Sequence, residues 1–118
     1  MKRDMDLVRQ ILLTIEERPP ESASCGVTIP EYSKAELELH LRLMEDAGLV
    51  QGVSINSSSA SCLRMTWHGY EFLETTRKDT LWQKAKEITI QQTGGLSIAA
   101  LTEALKTMSR MAIEGAFR

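Results

Sequence analysis

A chain of 118 residues, 42% hydrophobic and 25% charged, has an ordinary globular composition and room for one domain; a second independent core would be too small to hold itself together. No apolar run is long enough to span a bilayer, and the start Met1-Lys2-Arg3-Asp4-Met5-Asp6 lacks the apolar core of a signal peptide, so the expected location is the cytoplasm. A formal net charge of −2 excludes a generally basic nucleic-acid coat but leaves room for a local basic patch.

The periodicity predicts a first helix over about 5–17, with Val8, Ile11, Leu12 and Ile15 on one face and Asp4 as cap. Pro19-Pro20 ends it, because neither proline can donate to a continuing helix. Cys25 to Ile29 reads as a short strand stopped by Pro30. Ser33-Lys34-Ala35-Glu36 has the capping-box spacing and opens a second helix, which Gly48 closes. That helix carries two apolar stripes: Leu37, Leu41 and Met44 on one side, Leu39 and Leu43 on another.

Leu49 to Ile55 and Cys62 to Thr66 alternate as the arms of a hairpin with the polar, uncharged tip 56–60. Thr66 caps the next helix, which buries Phe72 and Leu73, and Gly69 allows close approach. Thr80-Leu81-Trp82-Gln83 offers another capping box, for a helix with the stripe Leu81, Ala85, Ile88 and a stop at Gly94-Gly95. Ser97 caps a last helix bearing Ile98, Leu101, Leu105 and Met108, expected to fray beyond Arg110. The order is that of an α+β domain: a small three-stranded antiparallel sheet with a wing hairpin, and extra C-terminal helices. Its core is expected over 1–78 and a helical extension over 79–118.

The stretch Met44-Glu45-Asp46-Ala47-Gly48-Leu49-Val50 resembles the end of the recognition helix in winged-helix regulators. Leu63-Arg64-Met65-Thr66-Trp67-His68-Gly69 resembles the strand-to-helix step after their wing. Nearly the whole chain is similar to the family called domain of unknown function 2513, found in bacteria and prophages. The matching residues are the Met1–Val8 start, Tyr32-Ser33, His40-Leu41, Ala47-Gly48-Leu49, Thr66-Trp67, Gly69, Phe72-Leu73 and Thr80-Leu81-Trp82. The chain departs from that family at His68 and Tyr70, where an acidic residue and a histidine are usual. The resemblance implies a winged-helix-like fold and a mobile-element origin, and brings no activity with it.

Winged helices that bind DNA set a basic helix in the major groove, because phosphate neutralisation supplies much of the affinity. Here residues 19–48 set Lys34 and Arg42 against Glu21, Glu31, Glu36, Glu38, Glu45 and Asp46, a net of −4. The wing tip has no positive charge, and its nearest arginine is Arg64. Residues 21–32 show no helical stripe, so the helix that would support a recognition helix is missing or reduced. A DNA-binding regulator, with Lys34, Arg42 and Arg64 on phosphate, is therefore the alternative reading. Lys2, Arg3, Arg9, Lys84 and Lys86 read as solvated charge unless the fold gathers them.

Chemistry is sparse. Two histidines form no nucleophile–base spacing, and no glycine-rich phosphate loop is present. His40 reads as a partly buried structural residue, and His68 as exposed. Cys25, His40, Cys62 and His68 are zinc-ligand types at separations that match no short-range pattern, so the two cysteines read as small buried hydrophobes. Carboxylate pairs such as Glu45-Asp46 read as solvated charges. Trp82, Leu81, Met108 and Met111 read as core. The expectation is a non-catalytic binding module without cofactor or metal, acting by protein–protein contact or self-association. The Leu39/Leu43 stripe needs a cover: either the C-terminal helices fold back over it, or Leu39, Arg42 and Leu43 are the module's candidate contact surface.

Overall fold

The computed structural model describes residues 2–18, 26–93 and 97–116; the expectations for Pro19-Pro20, Cys25 and Gly94-Gly95 lie outside the described residues. Five helices and four two-residue strands follow in the order α1 (Met5–Glu16), α2 (Lys34–Asp46), β1 (Val50–Gln51), β2 (Ser54–Ile55), β3 (Ala60–Ser61), β4 (Arg64–Met65), α3 (Trp67–Thr75), α4 (Asp79–Thr93) and α5 (Ile98–Ala116). The architecture is α+β, with two small antiparallel sheets, β1-β4 and β2-β3. The chain divides into two compact units, Met1–Glu71 and Phe72–Arg118.

In the first unit α1 starts where expected, since the Asp4 carboxylate accepts from the N–H groups of Asp6 (2.9 Å) and Leu7 (3.3 Å). It buries Met5, Leu7, Val8, Ile11, Leu12 and Ile15, a broad apolar arc that packs against α2 and β4. The capping box of α2 forms in full: Ser33 Oγ accepts from Glu36 N–H, and Glu36 Oε1 accepts from Ser33 N–H, both at 3.2 Å. Leu37, His40, Leu41 and Met44 make the buried stripe of α2, which packs on β1 and β3. Gly48 ends the helix in the left-handed conformation, φ 78°.

The hairpin expected over 49–66 is present but its ladder is broken in the middle. Val50 pairs with Met65 and Gln51 with Arg64; Ser54 pairs with Ser61 and Ile55 with Ala60. Between the two short ladders Gly52 takes φ 70°, which turns its backbone out of the pleat. The tip is organised by one side chain: Asn56 Oδ1 accepts from the N–H groups of Ser58 (2.9 Å) and Ser59 (2.7 Å). Ala60, read as tip, belongs to β3 and is buried.

A three-stranded sheet does not form among the described residues. The expected strand before Pro30 is reduced to one bridge, Gly26 to Ser61, supported by Val27 N–H donating to the Ala60 carbonyl at 2.8 Å. Glycine weakens a strand and Pro30 brings no N–H, so little ladder can extend from that point. Val27 and Ile29 still turn inward and are buried. Residues 26–33 hold no helix, as the absence of a helical stripe implied.

In the second unit α4 and α5 pack together, burying Trp82, Ala85 and Thr89 from one helix and Leu101 and Leu105 from the other. The expected stripe Leu81, Ala85, Ile88 is a correction: the buried line runs through Trp82, Leu81 is half-buried, and Ile88 is exposed. Trp82 offers the most apolar surface on α4 and meets Phe72 edge-to-face, ring centroids 6.3 Å apart, while Lys86 Nζ lies 5.6 Å from its ring. The helix begins at Asp79, which places Thr80 inside the first turn instead of at the cap. Ser97 Oγ caps α5 through Ala100 N–H at 3.0 Å. That helix continues to Ala116, past the expected fraying point. Ile98 and Met108 are half-buried, and the Met111 side chain lies outside the described residues.

Candidate functional site

The outer face of α2 carries the sequence-predicted contact residues. Leu39 and Leu43 are half-buried, on the flank between the inward stripe and the exposed residues Ala35, Arg42 and Asp46. Lys34 and Arg42, the two cations of this helix, both turn to one carboxylate: Lys34 Nζ is 3.5 Å and the Arg42 guanidinium 3.7 Å from Glu38. These are exposed helical pairs one turn apart on either side of Glu38, individually weak but sufficient to lower the local positive potential. Arg64, the third candidate for phosphate, sits exposed on β4, where its guanidinium donates to the Met65 carbonyl at 3.3 Å.

Behind this face lies a polar junction between α1 and α2. His40 is buried, and its Nε2 accepts from the Asp4 N–H at 2.8 Å. A backbone N–H can only donate, so Nε2 carries the lone pair, and Nδ1–H donates to the Glu36 carbonyl at 2.7 Å. Both ring nitrogens of the neutral imidazole are thereby satisfied. Tyr32 donates its hydroxyl to the other Asp4 oxygen at 3.3 Å. Burial, then the negative charge of Asp4, pushes the Tyr32 phenol above its ordinary pKa. The histidine was legible as structural; its partner Asp4 and the role of Tyr32 were not, because they lie far apart in sequence.

No three His, Cys, Asp or Glu side chains among the described residues are arranged to hold a metal ion. Cys62 is a buried free thiol, and Cys25 lies outside the described residues. Burial raises the Cys62 pKa, and the nearby Arg18 offsets part of that rise. His68 is exposed, as its place in the first turn of α3 implied.

Beside the expected Thr66 cap, the junction of α2, hairpin and α3 holds bonds that sequence reasoning missed. Glu45, read as a solvated charge, accepts from Val53 N–H at 2.9 Å and so ties the broken middle of the hairpin to α2. Thr66 donates its hydroxyl to the Gly48 carbonyl and its N–H to the Leu49 carbonyl at 2.9 Å, while its Oγ1 accepts from Gly69 N–H at 3.0 Å. These bonds dock the start of α3 against the end of α2. They leave Trp67 77% exposed, with its indole N–H donated to Glu71.

An α-helical pair, a broken hairpin carried on its second helix and a trailing helical hairpin define a small α+β protein whose recognisable polar groups are spent on holding the fold. The chain belongs to the family described as hypothetical protein (DUF2513), whose sequence profile matches residues 2–96. It is similar to an uncharacterized protein of Haemophilus influenzae, 30% identical over 115 residues that cover 92% of this chain and 95% of the relative. No solved structure matches the chain. Among the described residues no helix is long and apolar enough to cross a membrane.

Proposed function

We propose that the chain is a winged-helix-like binding module that acts by protein–protein contact or self-association, without catalysis. The order of α1, α2 and a hairpin supports the winged-helix comparison. The observation that carries the choice of partner is the charge of α2: Lys34 and Arg42 share the single carboxylate of Glu38, and Glu36, Glu45 and Asp46 leave the helix net negative, a poor surface for phosphate. The contact surface on this reading is the α2 flank with Leu39, Arg42 and Leu43.

The DNA-binding alternative draws on the same order of elements and on exposed Arg64, and mobility shifts at low and physiological salt separate the two. A protein-contact module gives no salt-sensitive, sequence-selective retardation of duplex DNA, and Leu43→Glu then weakens association seen by light scattering or partner capture. Tight retardation of one duplex, lost in Arg42→Ala and Arg64→Ala, refutes the proposal.

A further inference from the structure

Among the described residues of the first unit, the exposed large apolar side chains fall at the end of the hairpin and in the first turns of α3. Leu63, Trp67 and Tyr70 are 54%, 77% and 45% exposed. Trp67 and Tyr70 stand three residues apart on α3 and so share a face. The Thr66 bonds to the Gly48 and Leu49 carbonyls bring that turn against the C-terminal end of α2. This end exposes Glu45 and Asp46, carries the negative pole of the helix, and has no basic residue in its last turn. Glu71 adds a third carboxylate beside the Trp67 indole. From Met44 to Glu71 the sequence sets these three acids against Arg64 and the exposed His68, and Arg18 reaches the same stretch by donating to the Cys62 carbonyl at 3.4 Å.

An open indole and phenol bordered by carboxylates repel polyanions and attract cations, and an indole face is the best aromatic seat for a lysine or arginine. We propose that this surface docks a basic amphipathic segment of a partner protein. Cationic side chains would lie over Trp67 and against Glu45, Asp46 and Glu71, and an apolar side chain on Leu63 and Tyr70. The proposal rests on the protein-contact reading and names the class of partner.

The test titrates the full chain with a short leucine–lysine peptide patterned as an amphipathic helix, and with its glutamate counterpart, by calorimetry at low and physiological salt. The lysine peptide is expected to bind and to weaken with salt, and the glutamate peptide not to bind. Trp67→Ala and the Asp46→Lys, Glu71→Lys double variant each lose about tenfold in affinity or more. Glu31→Lys, at the other end of α2, stays within about twofold on the same screening argument. Undiminished binding by Trp67→Ala, or an equal loss in Glu31→Lys, overturns the proposal. A chain that ignores both peptides but self-associates overturns it while sparing the protein-contact reading; selective duplex retardation overturns both.

Discussion

Replacing Gly69 by alanine puts a carbon where α3 has no room for one. A Cβ built there lies 2.2 Å from the Leu49 carbonyl oxygen and 2.6 Å from Met65 Cγ, whereas ordinary contact begins at 3.4 Å. The methionine can swing aside, but the carbonyl cannot: it accepts the Thr66 N–H at 2.9 Å, and Leu49 N–H is itself bonded to the Met44 carbonyl at 2.8 Å. Relief therefore requires α3 to move by about 1.2 Å, straining the Thr66 cap. Overpacking against a fixed atom costs about 3 kcal/mol, and the better helix propensity of alanine returns nearly 1, leaving a loss of about 2 kcal/mol. For a chain of this size that lowers Tm by about 8 °C. Urea and thermal unfolding followed by far-ultraviolet circular dichroism would measure it. Gly48→Ala is the control, because Gly48 has φ 78° and a Cβ built there meets nothing within 4 Å, so its cost of about 1 kcal/mol is conformational alone. A Gly69→Ala variant as stable as the parent would show that the Leu49–α3 contact is soft and that the docking argument is wrong.

Other outcomes follow from the same bonds. His40→Ala orphans the Asp4 N–H and opens a cavity, and should cost about 3 kcal/mol in urea unfolding; His40→Gln, which can keep an acceptor at that point, should cost distinctly less. The Cys62 thiol should resist an aromatic disulfide reagent in the native state and react on unfolding. Its raised pKa also fixes a sign: its contribution to stability is complete below the ordinary thiol range and is lost as pH rises through the folded value. A Cys62→Ala variant should flatten that alkaline decline. Arg77→Gln should let Glu74 titrate at higher pH, since the guanidinium at 2.6 Å holds that exposed carboxyl below its usual range; carboxyl chemical shifts would report it.

Local rules carried well from sequence to structure, and long-range ones did not. Asp4, Ser33, Thr66 and Ser97 all cap through bonds that span two or three residues, and such bonds depend on little beyond their own turn. The helical period placed the α1 and α2 stripes correctly for the same reason. It failed on α4 because Leu81, Trp82, Ala85 and Ile88 fit two neighbouring stripes, and the edge-to-face contact with Phe72 decides between them. The residue types before Pro30 favour a third strand, but Gly26 and Pro30 leave it one bridge among the described residues. The candidate site was legible as an acidic helix with two apolar sides. That its two cations would meet at one carboxylate follows from the i, i+4 spacing and was open to prediction; the Glu45 bond to Val53 was not, because it needs the hairpin break at Gly52.

The residues that carry the family resemblance can now be sorted by what they hold. Asp4, Tyr32 and His40 join α1 to α2. Gly48, Thr66 and Gly69 join α2 to α3, and Phe72 meets Trp82. A bond or contact of this kind specifies a fold and gives no information about a ligand. Trp67 breaks the pattern: it is the largest apolar side chain in that set to stand in water, 77% exposed, with its indole N–H donated to Glu71. A scaffold residue would be expected to bury such a ring, because leaving it open forgoes the most hydrophobic payload a side chain can bring. Recognition should therefore be sought where α3 leaves the hairpin as well as on the α2 flank, and if the first surface is used, two chains sharing this scaffold should differ in partner through the residues that border Trp67.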